Sequence, residues 1–359
     1  MRAEEQKGQG QQMFDQTAVK QFMIGDEAVE NRANLEVVYP MESGIIKDWD
    51  NMRRIWDYTF FEKLQLDPNT NHMRKIVLTE PPNNPLASRL EMCRIMMEVY
   101  KFGAVHIATQ AVLVLYAQGL DTGTVLDMGD GVSHVITVKS SHVMDIKSLR
   151  VAGRDITRQL IALLLRRGYA LNRTADFDTA RIIKEKLCYI SYDLELDHKL
   201  SEETTVLLEN FTLPDGRTVR LGAERFEAPE ILFQPHLIDV EQPGISELVF
   251  ETIFNGPIDN RKELFKHIVL SGGTSMYPGL SSRLEKEMKQ LWLTRVLKGN
   301  DEGLKTFKST VHDPPNRKHL VFTGGSVFAG LHNYEAPSWI TMTEFWEKGD
   351  KYRAMFTRV

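Results

Sequence analysis

Cysteine is nearly absent, with only Cys93 and Cys188 in 359 residues. Each lies in an apolar helical pattern, so two buried, reduced thiols of a cytosolic protein are expected, and a disulfide is not. No run approaches the roughly 18 apolar residues of a membrane span, and the densest short one is Leu160-Ile-Ala-Leu-Leu-Leu165. The start, Met1-Arg-Ala-Glu-Glu-Gln6, has no apolar stretch of the signal-peptide kind. Basic residues do not outnumber acidic ones (44 against 49, net charge −5), which argues against a nucleic-acid-binding face. The common nucleotide motifs are missing as well: no Gly-x-x-x-x-Gly-Lys-Ser/Thr and no Gly-x-Gly-x-x-Gly occurs, so P-loop and Rossmann sites fall away. An EF-hand at Asp127 fails because position 138 is Val rather than the closing Glu.

What is present is organised around Gly123-Thr-Val-Leu-Asp-Met-Gly-Asp-Gly-Val-Ser-His-Val-Ile-Thr-Val138. Two β-branched runs flank a turn of glycine and aspartate, which predicts a hairpin. Gly129 and Gly131 permit positive φ and leave room for backbone N–H groups to approach an anion. Asp127 and Asp130 beside such a pocket make sense if hydrated Mg²⁺ lies between carboxylate and phosphate. An ordinary Asp-Gly hairpin turn accounts for the same residues. A second glycine turn, Ser271-Gly-Gly-Thr-Ser-Met-Tyr-Pro278, lies between a strand and a helix, where an anion site and a plain turn are both consistent. Arg181, Lys184 and Glu185 share one helix face, fit either to grip a ribose and base or to form a solvated charged surface. Gln110 ends an apolar strand, where it can orient a water or cap a helix. His134 lies on the far strand of the hairpin, where a lone histidine is usually structural.

The length predicts two lobes. Strand and helix signals run as Lys75-Ile-Val-Leu-Thr79, a proline-rich loop, a Ser88-Arg-Leu-Glu91 helix, the strand Val105 to Thr109, and a helix from Ala111. The order recurs with His267-Ile-Val-Leu-Ser271, Ser282-Arg-Leu-Glu285, and a strand from His319 running into an apolar helix. An internal duplication into two related α/β lobes is therefore expected. The six glutamines of residues 1–21 predict a disordered tail. Residues 22–150 are expected to form the first lobe and 151–318 the second, with an inserted subdomain at about 175–235 and a hairpin in which strands 204–209 and 218–221 flank Leu213-Pro-Asp-Gly216. Residues 319–359 are expected to return to the first lobe.

As a set, five motifs resemble actin and its relatives over about residues 22–346. They are Leu126-Asp-Met-Gly-Asp-Gly-Val-Ser-His134, Ala152-Gly-Arg-Asp-Ile-Thr157, Ile183-Lys-Glu-Lys-Leu-Cys-Tyr189, Glu224-Arg-Phe-Glu-Ala-Pro-Glu230 with Leu232-Phe-Gln-Pro-His236, and Ser271-Gly-Gly-Thr-Ser-Met-Tyr-Pro-Gly279. The insertion Trp292 to Phe307, which conventional actin lacks, points to a branch of actin-related proteins. The resemblance implies the actin, hexokinase and heat-shock ATPase superfold, closing over ATP or ADP with Mg²⁺. It implies phosphate contacts at Gly129, Asp130 and Gly131, metal-bound water at Asp127, and orientation of the attacking water by Gln110 and His134. Ribose and base would meet Arg181, Lys184 and Glu185, with Gly272, Gly273, Thr274, Met276 and Tyr277 opposite and Lys318 near the base. It also implies a cytoplasmic, cytoskeletal subunit of the complex that nucleates branched actin filaments. Partners would be actin, the other subunits and nucleation-promoting factors, and the protein would be at most a slow ATPase. A member with weak or no nucleotide binding, or a kinase or chaperone ATPase of the same superfold, are the alternatives.

Two departures stand out. The family's opening strand hairpin with its Asp-Asn-Gly phosphate loop has no match ahead of residue 22, which leaves the first lobe short at its N-terminus. At Met128 the family usually carries a hydroxyl, so loss of a side-chain donor to phosphate is expected.

Overall fold

The computed structural model describes residues 22–31, 35–42, 44–171, 174–213, 216–331 and 339–347; the tail expected at 1–21 lies outside them. Twelve strands occur among the described residues. They are β1 (Met41–Glu42), β2 (Ile45–Ile46), β3 (Lys75–Glu80), β4 (Ala104–Thr109), β5 (Gly123–Met128), β6 (Ser133–Lys139), β7 (His142–Leu149), β8 (Glu209–Thr212), β9 (Thr218–Leu221), β10 (Ile268–Ser271), β11 (Val311–His312) and β12 (Ile340–Thr341). They form a three-stranded sheet in the order β12-β4-β3, a five-stranded sheet in the order β11-β10-β5-β6-β7, and two isolated pairs.

The repeat is visible in the pairing. β3 runs parallel to β4 with Lys75 opposite Ala104, and β10 runs parallel to β11 with Ile268 opposite Val311. Each pair is followed by an apolar helix, Gln110–Ala117 after β4 and Leu320–Leu331 after β11. These helices pack on each other so closely that a Cβ on Gly324 would stand 1.8 Å from the Leu113 carbonyl oxygen. The Gln110 helix turns Ala111, Val114 and Leu115 toward Val125, Ile136 and Val269 of the larger sheet. Its Leu113 packs with Ala104, Ala108 and Phe328 on the smaller-sheet side. A helix buried on both flanks needs apolar residues all round, as its sequence has.

Three expectations shift. The strand expected from His319 is helical, and the partner of β10 is the two-residue β11 upstream. A continuous apolar run fits a buried strand or a buried helix equally, and here its twelve-residue length marks the helix. The chain crosses between sheets in the segment 118–122, since β5, β6 and β7 all belong with β10, ahead of the boundary expected at 150. The inserted hairpin pairs 209–212 with 218–221, whereas the sequence suggested a first strand at 204–209. Cys93 and Cys188 are free and buried, as expected.

The insertion is pinned at both ends. Trp292 stacks on Phe307 at 4.5 Å between centroids, and both rings meet Phe265 edge-on. Arg295 pairs with Glu247 at 2.6 Å and Glu251 at 3.1 Å.

Candidate nucleotide site

The β5–β6 turn is closed by the Gly129 N–H donating to the Val132 carbonyl at 3.1 Å. Neither Gly129 nor Gly131 adopts positive φ; Gly272 does, at +88°. A Cβ on Gly272 would lie 2.2 Å from the Met128 carbonyl oxygen, so the second glycine turn rests backbone to backbone on the first. The Gly129 carbonyl accepts from Thr274 Oγ1 at 2.7 Å and from the Gly153 N–H at 3.1 Å. Gly153 opens the helix Gly153–Arg166, where the Asp155 carboxylate accepts the Ala152 N–H. Arg154, next in line, donates its N–H to the Asp130 carbonyl and pairs its guanidinium with the Asp130 carboxylate at 2.9 Å. Three segments distant in sequence are thereby knitted into one floor.

Two cavities open above that floor and share Asp130. The larger, of about 490 Å³, is lined by Gln110, Asp127, Gly129, Asp130, Gly131 and His134, facing Leu78, Thr79 and Pro81 of the first lobe. The smaller, of about 330 Å³, is lined by Asp130, Arg181, Lys184, Glu185, Gly273, Thr274, Met276, Tyr277 and Lys318. Of the residues proposed from sequence only Gly272 lines neither, and its place is underneath, carrying the second turn. The charged helix face is not simply solvated: Lys184 is buried and its Nζ donates to the Gly153 carbonyl at 2.8 Å. Arg181 lies nearer the surface and pairs with Glu185 at 3.0 Å.

Electrostatics follow burial. Burial raises the Asp127 carboxyl above the ordinary carboxylate range, and the Ser271 hydroxyl beside it offsets this in part without a hydrogen bond of full geometry. Ser271 is its register partner on β10. Burial lowers Lys184, against the opposing pull of Asp130 and Glu185. The His134 imidazole is pushed down to about 4, so it is neutral at pH 7. Its Nε2, the Ser271 hydroxyl and the Tyr277 hydroxyl are buried without a hydrogen-bond partner. Unpaired buried polar atoms lining or adjoining two cavities are what a polar ligand would satisfy.

The donor set also fits a hydrated divalent cation. Asp127 offers a single carboxylate at the cavity, the kind of oxygen ligand that hydrated Mg²⁺ takes through water. Met128 is a different matter. Strand alternation turns Asp127 toward the cavity and Met128 into the core with Leu126 and Val135, fully buried. The side chain at 128 therefore faces away from any phosphate, and the expected loss of a donor there does not apply. Arg154, Ser271 and Arg317 were not singled out from the sequence. Arg317 donates to the Ser275 carbonyl at 3.1 Å and accepts the Gly272 N–H through its own carbonyl, setting Lys318 at the smaller cavity.

A duplicated α/β architecture, each half with a parallel strand pair followed by an apolar helix, is that of the actin superfold, and the chain belongs to the actin family, whose model (Actin) matches residues 3–355. Within the family it is similar to Actin-related protein 2 of Schizosaccharomyces pombe, 57% identical over 351 residues, covering 97% of this chain and 87% of that protein. It is 56% identical to Actin-related protein 2 of Saccharomyces cerevisiae over 342 residues (95% of this chain, 87% of that protein). The same-named protein of Acanthamoeba castellanii is 52% identical over 343 residues (95% and 88%).

Proposed function

We propose that this chain is the actin-related subunit of a complex that nucleates branched actin filaments, with Mg-ATP as a conformational ligand. Its partners would be actin, the other subunits of that complex and nucleation-promoting factors, and its place the cytoplasmic cytoskeleton. The observation that carries the nucleotide reading is the pair of cavities meeting at Asp130. Phosphates would lie over Gly129, Asp130 and Gly131; ribose and base would lie among Arg181, Lys184, Glu185, Met276, Tyr277 and Lys318. Mg²⁺ beside Asp127 would screen the phosphate charge and favour the ionised carboxylate. Gln110 and the neutral His134 would orient a water at the larger cavity, so that any hydrolysis rests on positioning. Similarity to the three relatives over nearly the whole chain favours the structural role over a kinase or chaperone ATPase.

Titration of a fluorescent ATP analogue with and without Mg²⁺ tests the ligand. Binding that requires Mg²⁺ and is lost in Asp127→Ala is expected, and Mg²⁺-independent binding indifferent to Asp127 would overturn the assignment. Affinity purification from the source cells at low salt tests the assembly. Recovery as a monomer without actin-related partners would count against the subunit role.

A further inference from the structure

Across the meander of the larger sheet, Asp127, His134 and Ser148 stand in one register row: Asp127 opposite His134 in β5–β6, and His134 opposite Ser148 in β6–β7. Directly opposed residues point to the same face. The His134 ring lies between a hydroxyl and the larger cavity, with Nδ1 2.8 Å from Ser148 Oγ and Nε2 buried without a partner. Ser148 is itself held in place. Gln242 accepts the Arg150 N–H at 3.0 Å and donates to the Ser148 carbonyl at 3.4 Å, fixing the end of β7.

A neutral imidazole carries one N–H. Were it on Nε2, a buried donor would be left orphaned at the cavity. On Nδ1 it donates to Ser148 Oγ, and the buried atom is only a bare lone pair. Orphaned buried N–H groups are the rarer case. The Ser148 residue is exposed, so its hydroxyl can give its own proton to solvent while accepting from the ring. We propose that Ser148 is a positioning residue that holds His134 as the Nδ1–H tautomer, leaving Nε2 to accept a hydrogen bond from a water in the cavity beside Asp127. Use of that water in nucleotide hydrolysis rests on the function proposed above; the tautomer does not.

The test is long-range ¹H–¹⁵N correlation spectroscopy of the full chain with ¹⁵N-histidine, the His134 signals being assigned as those missing from His134→Gln. The expected spectrum shows a protonated Nδ1 and an unprotonated Nε2. Ser148→Ala should move the population toward Nε2–H, and Ser148→Thr, which keeps the hydroxyl, should restore the original. Phosphate release from ATP should fall about tenfold in Ser148→Ala with little change in KM and recover in Ser148→Thr. The melting temperature should stay put, because Ser148 is exposed. An Nε2–H tautomer in the unmodified chain, or one unchanged by Ser148→Ala, overturns the proposal. No ATP turnover by the unmodified chain, together with the expected tautomers, would remove the hydrolytic use of that water and leave the positioning role standing.

Discussion

In the second lobe the parallel pair β10–β11 continues through β5, β6 and β7, whereas in the first lobe the pair β3–β4 has no strand beyond β3 among the described residues. The same contrast shows on the paired helices. The meander buries Ala111, Val114 and Leu115 of the Gln110 helix, while Phe322 on the Leu320 helix is 79% exposed. The larger cavity follows suit, with a polar turn on its second-lobe side and Leu78, Thr79 and Pro81 on the other. A triphosphate there would be gripped from one side and would meet, among the described residues, no second glycine turn on the other, so its charge on that side would be met mainly by water.

The largest test of this comparison is to make the lobes alike. A form carrying a strand hairpin with an Asp-Asn-Gly turn ahead of residue 22, grafted to lie along β3, should bind Mg-ATP at least ~1000-fold more tightly. Two or three charge-assisted backbone hydrogen bonds to phosphate would together contribute about 4 kcal/mol or more. Titration of the fluorescent analogue on both forms measures it. Equal, weak binding by both would place the deficit in the second lobe instead.

Next is the joint between the two glycine turns. Gly272→Ala puts a Cβ 2.2 Å from the Met128 carbonyl oxygen on a backbone at φ +88°. Both the collision with main chain and the left-handed conformation are costly, for about 3–4 kcal/mol of lost stability. Thermal unfolding should show a large drop. The same substitution at Gly273, where a Cβ meets nothing within 4 Å, should leave stability nearly unchanged and serves as the control.

The second lobe's side of the cavity also carries a pH dependence. His134 has its folded value depressed from 6.5 to about 4, so its contribution is fully present above 6.5 and is lost as pH falls through about 4. About 3 kcal/mol should disappear across that window. Asp127, raised by burial, runs the other way: its folded state is favoured below the ordinary value of 3.8 and weakens as pH rises through the raised one. Denaturant unfolding from pH 7 to 4 should show the histidine slope, flattened in His134→Gln. An unaltered slope would mean that the imidazole is not held neutral by the fold.

Sequence reading picked out residues that line the two cavities better than it placed the boundaries around them, for a physical reason. The Asp-Gly hairpin, the strand–Gly-Gly–helix turn and the i, i+3, i+4 spacing of Arg181, Lys184 and Glu185 are local signals, each contained in one short segment. The resemblance joined them into one site. Ser271 beside Asp127 and Ser148 beside His134 depend on strand register between distant segments, which no local pattern encodes. β11 is two residues long and carries no periodicity, so the longer apolar run after it drew the strand assignment. The crossing near residue 120 was hidden because β5 resembles a continuation of the strand–helix series that it in fact leaves.

The smallest expected effect concerns the insertion, which has no counterpart in the first half of the repeat. Its polar middle carries Gly299 and Gly303, and its ends, Trp292 and Phe307, anchor it in the second lobe's aromatic cluster. Two contributions can be separated. Arg295 pairs with Glu247 and Glu251, but all three side chains are between 37% and 44% exposed. Water and salt screen such pairs, so Arg295→Ala should cost less than about 1 kcal/mol, and the loss should shrink at high ionic strength. Phe307→Ala removes a stacked and edge-packed ring and should cost about 3 kcal/mol at any salt concentration. Unfolding of both variants at low and high salt discriminates the two. A large, salt-insensitive loss in Arg295→Ala would mean that its aliphatic stem packs as part of the core, and that the ion pairs are incidental.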